Sequence, residues 1–449
     1  MKMLTQEVTA QPHSIQRSEP LAGAYFWLLA FFVVYCARPE DWVPGLRSVP
    51  LAKITAVLAL AAFALSLGQA RRLPREVLYL FLLFAQLCLT AAFSPVWRGG
   101  AFNAVFAFSK IVVIVPVVVL AVSTLARLRW LIFTQTASVF AIAIVSLVKG
   151  QLRTGRLQGA LSGIYENPNE LALAIVLTVP FCFFFMLRAR GGFRKAAWFL
   201  AVGVMTYTLF LTGSRAGLLA LVVTMGLLVY EFGVKTGRRY LLVLAGLAVF
   251  AMVLLAGGKV RERFEAMSYG TVKSAEDASA YESSVARRGL LWRSLAVTAE
   301  HPLLGVGPGN FAVVSGSWHV AHNTFTGFSA EGGLPALILF ILLFWRAFDN
   351  VRKVQLLAQG QTEQKLLAGA LRCSLVGFVV GAFFDSVEYH FFSYFLVAYT
   401  SALYAIAGKY ASYEGSRQSI AAVPQEREGR QGPGGAAVTW ADYQKGRAI

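Results

Sequence analysis

Apolar runs of near-bilayer length recur along almost the whole chain, and no other feature limits its fold as strongly. A transmembrane helix needs about 20 consecutive apolar residues, and lipid satisfies no backbone polar group, so such runs fold as helices or closed barrels. The runs here are continuous rather than alternating, which selects helices. Of the 449 residues, 57% are hydrophobic and 14% charged, against about 25% charged in a soluble domain. A soluble fold with buried helices would need long polar helix faces, and these are missing.

The pattern predicts an all-α polytopic membrane protein with about twelve spans. Their approximate limits are 22–36, 50–67, 76–93, 102–122, 130–148, 169–187, 196–212, 216–232, 240–257, 325–346, 366–385 and 390–408. The domain order is then an N-terminal tail (1–21), nine spans (22–257), one large polar loop between spans nine and ten (258–324), three spans (325–408) and a disordered tail (409–449). The tail is polar and carries Gly429-Arg430-Gln431-Gly432-Pro433-Gly434-Gly435.

Charge sets the orientation. The net charge is +18, and the cations concentrate in alternate connections: Arg71, Arg72 and Arg75; Arg127 and Arg129; Arg188, Arg190, Arg194 and Lys195; Lys235, Arg238 and Arg239; Arg352, Lys353 and Lys365. The positive-inside bias puts these and both termini in the cytoplasm, and the large loop on the far side. That distribution is a topology signal and argues against nucleic-acid binding. No cleavable leader is evident, since the first twenty residues lack the basic-then-apolar order. Cys36, Cys88, Cys182 and Cys373 lie in or beside apolar runs and read as small apolar filler.

Cations that persist in far-side connections run against the bias. They are Arg38; Arg156, followed by Asn167-Pro168-Asn169; Arg215, in a turn too short to leave the membrane surface; and Arg287, Arg288 and Arg293. A guanidinium forks onto phosphate oxygens and keeps its charge, so a convergence of these groups suits a diphosphate anchored by a lipid tail. For Arg38, Arg98 and Arg153 the competing reading is a helix cap or a headgroup contact. Three of the five histidines, His301, His319 and His322, lie in the large loop. His322 stands where the loop re-enters the membrane and is the natural base for an acceptor hydroxyl. His301 precedes a glycine-rich turn and reads as structural, His319 is undecided, and His390 reads as interfacial. Gly305-Val306-Gly307-Pro308-Gly309 lacks the lysine and hydroxyl of a P-loop and reads as a tight turn allowing close backbone approach. Asp41, in Glu40-Asp41, is the rival carboxylate base. No far-side cluster has convincing metal spacing, so no metal and no cofactor are expected.

Four strings together resemble the O-antigen ligase and polymerase superfamily. They are Gly155-Arg156-Leu157-Gln158-Gly159 with Asn167-Pro168-Asn169; Gly213-Ser214-Arg215-Ala216-Gly217; Arg288-Gly289-Leu290-Leu291-Trp292 running into His301-Pro302-Leu303-Leu304-Gly305; and His322-Asn323 with Glu331-Gly332-Gly333. The likeness covers roughly 150–400. The start, Tyr35-Cys36-Ala37-Arg38-Pro39-Glu40-Asp41-Trp42, is similar to an O-glycosylation ligase subgroup. The resemblance implies a twelve-span enzyme of the bacterial inner membrane with a periplasmic site. It moves a glycan from undecaprenyl diphosphate to an acceptor hydroxyl, which is lipid A–core or another glycan or protein hydroxyl. His322, Arg288 and Arg215 are the implied catalytic residues. Arg156, Asn167, Asn169, Arg287, Arg293, Asn323 and Arg38 are the expected substrate-binding set. Direct attack predicts inversion at the anomeric carbon. Alternatives are a polymerase that uses a second lipid-linked repeat as acceptor, and a transporter or flippase of lipid-linked sugars.

Overall fold

The structure, a computed structural model, describes residues 21–43, 45–46, 48–66, 68, 73–153, 156–158, 165, 167–238, 275–358 and 361–421. The expected ninth span, the start of the large loop (258–274), most of the N-terminal tail and residues 422–449 lie outside the described residues, as do Gly155 and Gly159 of the first resemblance string.

Twelve principal helices are described: α1 Ala22–Ala37, α2 Leu51–Leu65, α3 Arg75–Ala92, α4 Arg98–Ala121, α5 Leu125–Lys149, α6 Pro168–Arg188, α7 Gly192–Thr212, α8 Arg215–Leu228, α9 Ala275–Glu300, α10 Thr324–Leu357, α11 Thr362–Ala382 and α12 Phe391–Ala421. Among the described residues nine helical stretches are long and apolar enough to cross a membrane, with α8 continued by a π-helical turn Val229–Val234. Helices α1 and α2 are apolar but shorter. Eleven of the twelve expected spans thus coincide with apolar helices. Helix α9 is the exception among the twelve helices: it is polar and lies within the stretch expected to form the large loop.

Helices α6 and α12 are the most enclosed, and a helix apolar all round belongs inside a bundle. The Phe32 and Phe395 rings lie 4.3 Å apart, and the Tyr399 hydroxyl donates to Gln135 Oε1 at 2.6 Å, tying α12 to α1 and α5. On α11, Gly377 and Gly381 leave room for Thr224, Val176 and Leu173 of α8 and α6. Small residues permit this close approach where lipid offers no hydrophobic driving force between helices.

Three features depart from the sequence expectation. The connection after α5 forms a two-stranded antiparallel hairpin, β1 Gln151–Arg153 paired with β2 Arg156–Gln158; pairing satisfies backbone groups where no helix continues. Helix α12 continues to Ala421, so the first part of the expected disordered tail, 409–421, is helical; no proline precedes Pro424 to stop it. Helix α10 reaches Leu357 rather than 346 and is broken at Gly333, whose φ of 75° is non-helical, with Pro335 two residues on.

Candidate active site

One end of the bundle gathers the connections after α1, α3, α5, α7, α9 and α11. The polar loop is ordered there by α9 and by the glycine-rich turn that follows it. His301 N donates to Val297 O and His301 O accepts from Gly305 N, so His301 serves the turn through its backbone. The turn clasps the broken part of α10. Val306 N donates to Ala330 O and Gly307 N to Glu331 O, each at 2.9 Å, and Leu334 N donates to Pro302 O at 2.7 Å. A kink leaves helical backbone groups without i→i−4 partners, and the turn supplies them. Gly305 has φ +61°, and a Cβ on it would sit 2.5 Å from Glu331 C and O. The glycine-rich turn is therefore a backbone clasp on α10.

Glu331 lies at the centre of this clasp. Its carboxylate accepts from Gly309 N at 2.8 Å, Phe311 N at 3.3 Å and the Tyr389 hydroxyl at 2.7 Å. Asn310 continues the joint, donating to Ser94 Oγ and Trp97 O before α4.

His322 stands just before α10, held by neighbours on both sides. Asn323 caps α10 by accepting from Phe325 N and Thr326 N, and its Nδ2 donates to Phe383 O at 3.1 Å. Thr324 Oγ1 donates to Asp385 O at 2.7 Å and accepts from Val387 N. These bonds stitch the His322 segment to the connection between α11 and α12. They bring His322 Nδ1 to 4.0 Å from Asp385 Oδ1. His322 also has φ +51°, in the left-handed region, which non-glycine residues occupy uncommonly and often at functional sites.

The electrostatics around this pair are uneven. Burial, then the charges of Arg287 and His319, pull His322 down to about 4, so it is neutral at pH 7. Burial pushes Asp385 up, opposed by the Ser386 N–H and by the charges of Arg287 and Arg156. Burial and the neighbouring Glu331 charge push Glu388 well up. Within the described residues, His322 Nδ1, Asp385 Oδ2 and Glu388 Oε2 are buried without a hydrogen-bond partner. Buried polar groups are normally satisfied, so such a concentration marks a place built for something other than packing.

The expected site residues fall into distinct groups. Arg156 lies beside the mouths of two helices: its Nε donates to Thr212 O and its Nη2 to Asn169 Oδ1, both at 2.9 Å. Asn167 caps α6 by accepting from Asn169 N. Arg215 is half-buried in the first turn of α8, behind its cap Ser214. Helices α6 and α8 touch closely there, since a Cβ on Gly217 would meet Ala172 Cβ at 2.6 Å. Arg287 is half-buried and its charge reaches both His322 and Asp385, whereas Arg288 is exposed on α9. Arg293 is engaged within the loop, by Val314 O and Glu300. Arg38 pairs with Asp41, one turn from the end of α1. His319 is exposed, and His390 Nε2 lies 3.8 Å from Glu170 Oε1. Among the described residues no group of three or more His, Cys, Asp or Glu side chains could hold a metal ion.

Asp385 and Glu388 were absent from the sequence-based candidates. The available signal was two carboxylates in the short turn Asp385-Ser386-Val387-Glu388-Tyr389-His390 between apolar helices, where ionisable groups are costly and usually functional.

Comparison with known proteins gives one family match. The family model described as O-Antigen ligase matches residues 200–341, which include Arg215, the clasp, Arg287 and His322 and exclude Arg156 and Asp385. No curated protein matches the chain. The family and the apolar helices support a multi-pass membrane protein with a ligase- or glycosyltransferase-type activity on lipid-linked glycan and acceptor substrates. Through residues 200–341 the chain is similar to the O-antigen ligase family, which supports an O-antigen ligase-like superfamily.

Proposed function

We propose that this protein transfers an oligo- or polysaccharide from undecaprenyl diphosphate to an acceptor hydroxyl at the periplasmic face of the bacterial inner membrane. The observation that carries this reading is the His322–Asp385 pair at 4.0 Å, with the charges of Arg287 and Arg156 acting on the same carboxylate.

With Nδ1 turned toward Asp385, His322 has Nε2 left to take the acceptor's proton. Asp385 orients the ring and stabilises the imidazolium once it forms, the role a carboxylate plays beside a catalytic histidine. The 4.0 Å separation is longer than a hydrogen bond, and such contacts tighten when substrate binds. The acceptor oxygen attacks the anomeric carbon as its proton passes to His322. The bond from that carbon to the diphosphate oxygen breaks, the electron pair leaves with undecaprenyl diphosphate, and the anomeric centre inverts. Arg287 and Arg215, with Arg156 behind them, stabilise the charge growing on the leaving diphosphate. The N-termini of α6 and α8 add positive dipole ends at the same place.

The test uses purified protein, a lipid-diphosphate glycan and candidate acceptors, in detergent and without added metal. Linked product and free undecaprenyl diphosphate should appear together, and the product's mass separates ligase from polymerase. Glycan movement across liposomes with no product from any acceptor would replace this reading with transport.

A further inference from the structure

Leu303 stands at the tip of the clasp and is 70% exposed. The surroundings of its backbone are unusual for a loop. Leu303 O accepts from Gln86 Nε2 at 2.9 Å, and the same amide donates to Gly332 O at 3.0 Å. The backbone of Gly333 approaches Leu303 so closely that no Cβ fits between them. The turn is thus wedged between α3 and the break in α10.

That position lies well inside the apolar zone. Gln86 precedes the end of α3 at Ala92 by about 9 Å, at 1.5 Å per residue. On α3, Leu82 and Leu89 share Gln86's side of the helix and are exposed, as is Phe93 just past its end. On α10, Leu334, Ile338 and Ile341 are exposed directly after the break. Leu303 is continuous with both apolar faces. Irregular backbone is tolerated at membrane depth only where its polar groups are satisfied by protein, and here Gln86 Nε2 donates to Leu303 O and Leu334 N to Pro302 O. An isolated glutamine on an apolar helix face has the same explanation from its own side: its amide is used up by two carbonyls.

We propose that the turn Pro302–Leu304 is inserted into the bilayer between α3 and α10, with the Leu303 side chain in contact with lipid acyl chains. The loop bearing Arg287 and His322 is then fixed to the membrane at a second point besides the start of α10. Gln86 is the positioning residue, holding the turn at depth through Leu303 O and Gly332 O.

The experiment places a nitroxide at Leu303→Cys in full-length protein whose four cysteines are replaced by alanine, reconstituted in phospholipid vesicles. Ile338→Cys serves as the lipid-facing reference and the exposed Ser317→Cys as the aqueous one. Collisional access to oxygen is compared with access to a water-soluble nickel chelate. The expected result is that Leu303 behaves like Ile338, with oxygen access exceeding nickel access, and that Ser317 behaves oppositely. Nickel access at Leu303 equal to that at Ser317 overturns the insertion. Adding Gln86→Leu should raise nitroxide mobility and nickel access at Leu303. Unchanged values in a well-folded, monodisperse variant overturn the role given to Gln86.

Discussion

His322 Nδ1 lies 4.0 Å from Asp385 Oδ1, although one residue precedes α10 and the other follows α11. The pair exists because Asn323 and Thr324, the two residues after His322, bond to Phe383 O and Asp385 O. If Asp385 orients the imidazole, Asp385→Asn should lower kcat by roughly 10²–10⁴-fold, the range expected for losing general-base catalysis. Donor binding should change far less. A variant with normal kcat would remove Asp385 from the mechanism.

The depressed basicity of His322 has a pH signature. A base must be unprotonated, so the acid limb of kcat/KM, which reports the free enzyme, should fall near about 4 rather than at the usual 6.5 of histidine. The profile should be flat from pH 5 to pH 8. Stability responds over the same interval: below pH 6.5 the unfolded chain binds a proton that folded His322 refuses until about 4. Acidification through that window therefore destabilises the fold. An acid limb at 6.5 would show that His322 is not the titrating base.

Arg287 and Arg288 are adjacent in sequence and face different surroundings on α9. Arg287→Ala should reduce turnover strongly, and Arg287→Lys should recover only part of it, because an ammonium lacks the bidentate fork. Arg288→Ala should have the smaller effect in the same kcat and KM measurements. The reverse order would reassign the diphosphate contact to Arg288.

Glu331 and Glu388 are both buried and differ in how their oxygens are bonded. Glu331 accepts from three donors, whereas Glu388 Oε2 has no partner and is pushed toward its protonated form. Glu388→Gln should therefore be close to neutral in thermal unfolding. Glu331→Gln should destabilise by on the order of 1–3 kcal/mol, the cost of leaving a buried donor unsatisfied. Equal shifts in the two variants would show that the three bonds to Glu331 do not hold the clasp.

Gly305→Ala tests the clasp. Its left-handed φ costs about 1–2 kcal/mol for a residue with a Cβ, and the new methyl would collide with the backbone at Glu331. A lower melting temperature with reduced kcat is expected, since the clasp holds the loop that carries His322. An unchanged melting temperature would mean that the clasp bears no load.

Much of this protein is legible from sequence alone. Continuous apolar runs determine helices because lipid satisfies no backbone polar group, and eleven expected spans coincide with helices on that ground. Isolated polar features, Arg156, Arg215 and His322 among them, were visible because they run against the expected charge bias or hydropathy. The glycine-rich turn was readable as a place of close backbone approach, but not what it approaches. Tertiary structure alone decided that the turn clasps a broken α10, that Arg287 rather than Arg288 faces inward, and that Asp385 meets His322. These relations depend on helix rotation and on hydrogen bonds between segments distant in the chain. Hydropathy records which residues enter the membrane, and it carries no information about which helix faces meet there.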